Sequence, residues 1–255
     1  MLLQDRVMVV TGGNSGIGEG VVLEAAREGA AVVIDYVSNQ AHADDLAAQI
    51  THDGGRAVAV EADVSKVADL QRLVDAAVDS FGRLDVWVSN AGIEFGQSLL
   101  ETTEERYDTL LGVNLKGAVF GAKLAAEQMV KQGGGGVIVN ISSIHEDWPM
   151  PTDLAYCVSK GGMRMLTRTA GVELGQHGIR MVGIGPGAIV TPINQDTLDD
   201  PEELAALESA IPLAYLGKPV EIGRLVCFAA SDAGSYITAT TLFADGGLMQ
   251  KPGAV

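Results

Sequence analysis

The chain has 255 residues, of which 17 are Lys or Arg and 33 are Asp or Glu, and its formal charge is −16. This acidic balance, with no run of basic residues, argues against nucleic acid and anionic membrane surfaces as partners. We expect a cytoplasmic protein, because the sequence has neither a signal peptide nor an apolar segment of about eighteen residues. The length suits one large core, so we expect a single domain over residues 1–255. Both cysteines, Cys157 and Cys227, are expected to be reduced and buried.

Seven short runs rich in Val and Ile predict strands that are buried on both faces. They alternate with longer segments of helical spacing, which is typical of βαβ units around a parallel sheet with helices on both faces. The predicted strands are 6–11, 31–36, 56–61, 84–89, 137–142, 180–184 and 240–244, and the predicted helices include 17–28, 67–81, 118–131 and 155–177.

Local signals predict where several helices begin and end. Thr102 and Asp200 are each followed three residues later by Glu, which indicates an N-cap. Gly29 and Gly82 lie where helices should end.

A glycine-rich segment, TGGNSGIG at residues 11–18, follows the first strand and opens the first helix. Glycines allow the backbone to approach a pyrophosphate, and the helix N-terminus supplies N–H donors. The alternative is a turn between strand and helix that binds nothing. Asp63-Val64 and the segment Ser89 to Gly92 follow the third and fourth strands at the same sheet edge, where doubly wound sheets bind ligands. We therefore favour a nucleotide site there.

Tyr156 and Lys160 are four residues apart, so both lie on one face of a helix. A nearby ammonium would lower the pKa of the phenol from its usual value of about 10, which would suit an acid/base catalyst. The alternative is an exposed Tyr and Lys with no chemical role.

Taken together, these motifs resemble the short-chain dehydrogenase/reductase family over essentially the whole chain. The resemblance rests on TGGNSGIG, SNAG, Asn114, Ser142-Ser143, Tyr156 with Lys160, and Gly185-Pro186-Gly187. It implies an α/β fold with a Rossmann-type, doubly wound, seven-stranded parallel sheet. It also implies NAD or NADP as cofactor and hydride transfer between an alcohol and a carbonyl group.

The resemblance further implies roles for individual residues. Tyr156 would exchange a proton with the substrate oxygen, and Lys160 would bind the nicotinamide ribose and lower the pKa of the tyrosine. Ser143, thirteen residues before Tyr156, would polarise the substrate oxygen, and Asn114 would hold a water of a proton relay. The implied cofactor-binding residues are Gly12, Asn14, Ser15, Gly16, Ile17, Gly18, Asp35, Tyr36, Asp63, Val64, Asn90, Ala91, Gly92, Tyr156, Lys160, Pro186, Gly187, Ile189 and Thr191.

The end of the second strand decides between the two dinucleotides. In NAD-preferring members of the family we expect an acid seven residues after Gly29, where this chain has Tyr36, with Asp35 one place earlier. Neither Val37 nor Ser38 is a base that could pair with a 2′-phosphate. We therefore predict a preference for NAD, with use of NADP left open.

The segments 91–94, 143–146, 187–194, 211–217 and 242–247 resemble the glucose 1-dehydrogenase branch of the family. This resemblance implies a polar sugar pocket, although Trp148 departs from the branch and, beside that pocket, could favour a less polar ketone. The implied substrate-binding residues are Glu94, Ser143, His145 and Asn194.

Other expectations come from the same resemblance. A substrate lid should cover the site around residues 190–217, and the apolar tail from Leu242 to Met249, followed by Pro252-Gly253, is similar to a region that packs across subunits in homotetramers. We assign no metal site. The alternatives are a broad-specificity carbonyl reductase, a 3-oxoacyl reductase, or a non-enzymatic dinucleotide-sensing scaffold.

Overall fold

The computed structural model describes residues 1–251, so Pro252 and Gly253 lie outside the described residues. Seven strands form one parallel sheet in the order β3-β2-β1-β4-β5-β6-β7. The strands are β1 (Val7–Val10), β2 (Ala31–Tyr36), β3 (Arg56–Glu61), β4 (Val86–Ser89), β5 (Gly136–Ile141), β6 (Ile179–Pro186) and β7 (Thr240–Ala244). The predicted Rossmann-type α/β fold is confirmed.

Helices connect the strands, and several of them lie outside the four segments predicted above, such as Gln40–His52 and Pro219–Ala230. A π-helical turn, Gly112–Lys116, lies between two of the helices. The helices are α1 (Gly16–Arg27), α2 (Gln40–His52), α3 (Val67–Phe81), α4 (Glu104–Leu111), α5 (Gly117–Gln132), α6 (Leu154–Leu174), α7 (Gln195–Asp199), α8 (Pro201–Ala210) and α9 (Pro219–Ala230).

Strand β1 shows how the sheet is buried on both faces. Its residues alternate between two apolar layers, because successive side chains of a strand point to opposite faces. Met8 and Val10 pack in the layer that holds α1 and α9, whereas Val7 and Val9 pack in the layer that holds α3 and α5. Strand order reverses between β1 and β4, which opens a crevice at the carboxyl ends of these strands.

The expectation of burial on both faces is wrong for the two edge strands. Strand β3 is exposed at both ends and half-buried between them, and β7 is likewise half-buried to exposed. Each has a neighbouring strand on one side only, so helices and strands cover less of its surface.

Three of the four predicted helix boundaries are confirmed. Asp200 caps α8 by accepting hydrogen bonds from the backbone N–H groups of two glutamates, and Gly29 and Gly82 adopt positive φ values of 93° and 84°. Thr102 is wrong as an N-cap, because Thr103 caps α4. The Thr102 hydroxyl instead donates to the Ser98 carbonyl oxygen at 2.8 Å.

A third apolar cluster lies beneath helices α7 and α8 and joins them to the rest of the molecule. It contains Ile144, Ile211 and Leu216, with Trp148 and Leu204 packed against it. Trp148 therefore packs in the cluster that α7 and α8 cover, and its position beside a substrate pocket stays a prediction.

Cys227 is buried, as expected, but Cys157 is only half-buried, and neither forms a disulfide. Over residues 1–251, no helix combines the length and apolar character that crossing a membrane requires. The same residues contain no grouping of three His, Cys, Asp or Glu side chains that could hold a metal ion.

Candidate active site and cofactor cleft

The glycine-rich turn between β1 and α1 is built from backbone groups. Gly12 and Gly16 adopt positive φ values of 58° and 52°, which side chains disfavour. At Gly18, a Cβ atom would overlap the Gly12 carbonyl oxygen. Glycine at this position therefore lets the first turn of α1 pack directly on the loop.

Asn90, just after β4, ties the neighbouring strand end to this turn. Its side-chain amide donates to the carbonyl oxygens of Thr11 and Gly12 at 2.9 and 3.0 Å. The amide thus joins the two strand ends on either side of the crevice.

A cleft of about 420 Å³ runs from the glycine-rich turn to Tyr156 and Lys160. Ser15 is the N-cap of α1 but makes no side-chain cap hydrogen bond, and the first N–H groups of a helix have no partners within the helix. The bare glycine backbone and this helix N-terminus fit a dinucleotide pyrophosphate. The predicted residues that line the cleft are Gly12, Asn14, Ser15, Gly16, Ile17, Asp35, Asp63, Val64, Asn90, Ala91, Gly92, Tyr156, Lys160 and Thr191.

Five predicted cofactor residues lie behind the cleft surface rather than on it. Gly18 packs on the glycine-rich turn, and Tyr36 lies in β2 opposite Glu61. Pro186 and Gly187 are at the end of β6, and Ile189 is buried in the apolar layer of α1. The lining residues that sequence analysis missed are Val37, Ser38, Ala62, Ile93, Val113, Ile141, Ser142, Pro192 and Ile193.

Asp35 is a buried carboxyl group in the wall of this cleft. Its Oδ2 atom accepts from the Gly12 N–H at 2.9 Å, while Oδ1 has no hydrogen-bond partner in the described part of the chain. Burial raises the pKa of Asp35 to about 7, and the charges of Asp63 and Asp69 add to this effect. The carboxyl therefore changes its charge near neutral pH.

Asn114 lies in the π-helical turn and fastens the loop that follows β4. Its Oδ1 atom accepts from the Ile93 N–H at 2.8 Å, and its Nδ2 atom donates to the Ile93 carbonyl oxygen at 2.9 Å. The same amide lies 3.4 Å from the Ser159 hydroxyl on the helix that carries Tyr156. Asn114 thus links the loop after β4 to α6, and its role in a water relay stays a prediction.

Lys160 is 5% exposed and lies beside the tyrosine on α6. Its ammonium group donates to the Ile141 carbonyl oxygen at 3.0 Å and lies 5.3 Å from the centre of the Tyr156 ring. Burial lowers the pKa of Lys160 to about 8, although the nearby carboxylates of Glu94 and Glu146 oppose this change. Sequence reasoning placed the pair correctly on one helix face.

The expected lowering of the Tyr156 pKa is wrong for this structure. Burial raises the pKa above its ordinary value, the Glu94 charge raises it further, and a hydrogen bond from Ser143 only partly opposes both effects. The ammonium of Lys160 lies over the ring and donates to a carbonyl oxygen, so desolvation of the phenolate outweighs its attraction.

Ser143 and His145 share a short 3-10 turn beside the tyrosine. The Ser143 hydroxyl accepts from the His145 N–H at 3.1 Å, and the His145 ring is 6.3 Å from that of Tyr156. The imidazole Nδ1 atom lies 3.1 Å from the Trp148 carbonyl oxygen, which can only accept, so Nδ1 carries the proton. Because burial lowers the His145 pKa, the neutral ring offers Nε2 as an acceptor.

The other two predicted substrate residues, Glu94 and Asn194, have different environments. Solvent reaches Glu94, yet the surrounding protein desolvates its carboxyl group enough to raise the pKa, and the charge of Asp153 raises it further. The Asn194 amide donates to the Ile189 carbonyl oxygen at 2.7 Å and so holds the backbone between β6 and α7.

Two acidic residues near the tyrosine escaped sequence analysis. Asp153 immediately precedes α6, and its buried Oδ1 atom has no hydrogen-bond partner within residues 1–251. Glu146 is 8% exposed, and its Oε2 atom likewise has no partner among these residues. The signal that could have found Asp153 is its position three residues before Tyr156, at the predicted start of the helix.

Comparison with known proteins identifies the family of this chain. The family model described as "Enoyl-(Acyl carrier protein) reductase" matches residues 12–249. The chain is also 41% identical over 251 residues to 3beta-hydroxysteroid dehydrogenase 1 of Eggerthella lenta, covering 98% of this chain and 96% of that protein. This chain belongs to the short-chain dehydrogenase/reductase family.

Two further members of the short-chain dehydrogenase/reductase family have names that concern sugars or sugar acids. Glucose 1-dehydrogenase 2 of Bacillus subtilis is 38% identical over 251 residues, covering 98% of this chain and 97% of that protein. A solved gluconate 5-dehydrogenase from Burkholderia cenocepacia, in complex with NADP and tartrate, matches with a TM-score of 0.92 and 31% identity over 98% of this chain and 97% of that one. The predicted activity class is confirmed: the protein is an NAD(P)-dependent oxidoreductase that acts on CH–OH groups.

Proposed function

We propose that this short-chain dehydrogenase/reductase oxidises a neutral sugar at a CH–OH group, as a glucose 1-dehydrogenase does. The observation that carries the proposal is the set of polar groups around the Tyr156 phenol, at the end of the cofactor cleft. Ser143 lies near enough to the phenol to lower its pKa, the His145 ring lies 6.3 Å from the Tyr156 ring, and the Glu94 carboxylate is near enough to raise the Tyr156 pKa. A substrate rich in hydroxyl groups needs such fixed donors and acceptors.

Each residue of the set has a distinct task in this proposal. The Ser143 hydroxyl donates to the substrate oxygen, and Tyr156 in its ionised phenolate form takes the proton of the substrate hydroxyl as hydride leaves the carbon. Lys160 holds positive charge near the phenol, and Asn114 keeps the helix and the loop after β4 in register. When bound, the nicotinamide cofactor supplies the hydride acceptor in this direction and the hydride donor in the reverse direction.

NAD is the dinucleotide that we propose the enzyme prefers. The cleft near Val37 and Ser38 carries the Asp35 carboxyl, whereas the only cation among its described lining residues, Lys160, lies at Tyr156. A 2′-phosphate would therefore meet negative charge without a basic partner.

The proposal includes one domain over residues 1–255, with a lid around residues 190–217. Helices α7 and α8 and the apolar cluster beneath them support the lid.

We also propose a cytoplasmic homotetramer. Val158, Met165 and Val172 are exposed apolar residues spaced by seven along α6, and this spacing aligns them on one face that a second subunit could cover. Light scattering at micromolar concentration tests this part, and a monomer would contradict it.

The activity is tested by measuring turnover with NAD and NADP on glucose, other aldoses, secondary alcohols and ketones. We expect aldose oxidation with the larger kcat/KM for NAD. Turnover of ketones or aliphatic alcohols with none of aldoses would contradict the sugar proposal, and a large advantage of NADP would contradict the cofactor preference.

A second candidate is oxidation of a hydroxysteroid. The identity of 41% to the Eggerthella lenta hydroxysteroid dehydrogenase favours it, together with the apolar side chain of Ile193 at the cleft. Inclusion of a 3-hydroxysteroid in the same set of substrates separates the two candidates.

A further inference from the structure

Asp153 occupies the N-cap of α6, three residues before Tyr156, but does not cap the helix. An Asp at this position ordinarily accepts a hydrogen bond from an N–H group of the first helical turn. Here the side chain makes no such bond, and within residues 1–251 its buried Oδ1 atom has no hydrogen-bond partner. This oxygen therefore has hydrogen-bonding capacity that the described residues do not use.

Backbone pairing sets the position of this carboxylate. Gln97 and Asp153 form an isolated parallel bridge, in which the Gln97 N–H donates to the Thr152 carbonyl oxygen. The Asp153 Oδ2 atom lies 3.8 Å from the point that a Cβ atom on Gly96 would occupy. Asp153 thus faces the loop after β4, and Glu94 lies on the same loop.

The Asp153 carboxylate also acts on the groups around the reacting tyrosine. Its charge raises the pKa of Glu94, His145 and Tyr156. None of Glu94, His145 and Asp153 lines the cofactor cleft. They lie near Tyr156 and outside the cofactor cleft, which is where the proposed function places the substrate.

The net charge around Glu94, His145 and Asp153 is negative. Glu146 is 92% buried, its Oε2 atom is unpaired, and its charge reaches Lys160. The cation Lys160 donates to a backbone carbonyl oxygen, and a second cation, Arg164, is paired with Asp147. A carboxylate can only accept hydrogen bonds, so the region suits hydroxyl donors and repels an anion.

We propose that Asp153 is a specificity-determining residue, which with Glu94 accepts hydrogen bonds from substrate hydroxyl groups and excludes substrates that carry a carboxylate. The inference rests on the proposed oxidation of a neutral sugar. It separates this protein from an enzyme whose substrate is a sugar acid.

The test compares glucose with glucuronate, which have the same CH–OH group at C1 and differ by a carboxylate at C6. For the unaltered protein we expect kcat/KM to be at least about tenfold larger for glucose. Asp153→Asn should reduce that preference about fivefold or more, by lowering KM for glucuronate and raising KM for glucose, with kcat changed less than KM. Asp108→Asn, which removes one charge from an exposed position on α4, is the matched control and should leave the preference unchanged.

Equal kcat/KM for glucose and glucuronate in the unaltered protein would overturn the inference. The same preference for glucose in Asp153→Asn and in Asp108→Asn would also overturn it. If Asp153→Asn does not fold, as judged by circular dichroism, Glu94→Gln carries the same expectation. If aldoses are not oxidised but 2-butanol is, the proposed function fails. The inference is then judged separately by the preference for 2-butanol over 3-hydroxybutyrate in the same variants.

Discussion

The two halves of the site are built differently, although they meet at Tyr156. On the cofactor side, glycines bring bare backbone to the cleft, and the Asn90 amide is satisfied by carbonyl oxygens of the glycine-rich turn. On the proposed substrate side, carboxyl groups come from separate loops, and Asp153 and Glu146 each keep an oxygen that has no partner among the described residues. A site formed by backbone groups keeps its ligand class when side chains are substituted. A site formed by side chains can change its ligand through a single substitution.

The largest expected effect follows removal of the phenol oxygen, which should stop the chemical step without weakening cofactor binding. Tyr156→Phe should lower kcat by about a thousandfold or more, because the variant has no group to exchange the substrate proton. Binding of NADH, measured by fluorescence, should stay within about threefold of the unaltered protein. Turnover that persists would show that another group is the acid or base.

The next effect concerns two adjacent serines. Ser143→Ala should lower kcat about a hundredfold, because it removes the donor to the substrate oxygen. Ser142→Ala is the comparison: Ser142 lines the cofactor cleft rather than the reacting tyrosine, so its loss should change KM for NAD, while kcat stays within about threefold. Steady-state kinetics with both variants checks the choice of Ser143, and equal losses would contradict it.

A smaller effect tests the backbone construction of the cofactor side. Gly18→Ala should lower the free energy of unfolding by about 2 kcal/mol and raise KM for NAD, because its Cβ would overlap the Gly12 carbonyl oxygen. Gly175→Ala is the control, since a Cβ there meets no atom within 4 Å and its φ is −54°. Urea unfolding should show the control unchanged or stabilised by about 0.5 kcal/mol. Equal destabilisation of both variants would contradict the packing role of Gly18.

The smallest effect is a pH dependence from Asp35. Folding raises its pKa from 3.8 to about 7, so the folded protein binds the proton more tightly than the unfolded chain does. The contribution of Asp35 to the free energy of unfolding is greatest below pH 3.8 and is lost as pH rises through 7. In the unaltered protein, this group should lower the free energy of unfolding by about 1.4 kcal/mol between pH 6 and pH 8, measured by urea unfolding. Asp35→Asn should abolish this decrease. Identical pH profiles for the two proteins would contradict the assignment.

Sequence reasoning succeeded where a short segment determines its own structure. Strands such as β2 combine β-branched residues with burial, and the Tyr156 and Lys160 spacing places both side chains on one helix face. It was less complete where distant segments meet. Asp153 acts on Glu94 only because a backbone bridge joins their loops, and no periodicity reveals that pairing.

The direction of the Tyr156 pKa shift shows a second limit. A spacing of four residues indicates that the ammonium is near, but the outcome depends on how deeply the phenol is desolvated and where the ammonium donates its hydrogen bond. The burial of β3 and β7 depends in the same way on strand order, which the composition of a strand does not contain.

Trp148 joins two parts of the structure. Its side chain packs in the cluster under helices α7 and α8, while its carbonyl oxygen accepts a hydrogen bond from the Nδ1–H group of His145. Docking of these helices and orientation of the imidazole are therefore thermodynamically linked through one residue. Under the proposal that residues 190–217 form a lid, a substrate that orders the lid also orients the acceptor beside the phenol, and both groups lose their conformational freedom in a single cooperative step.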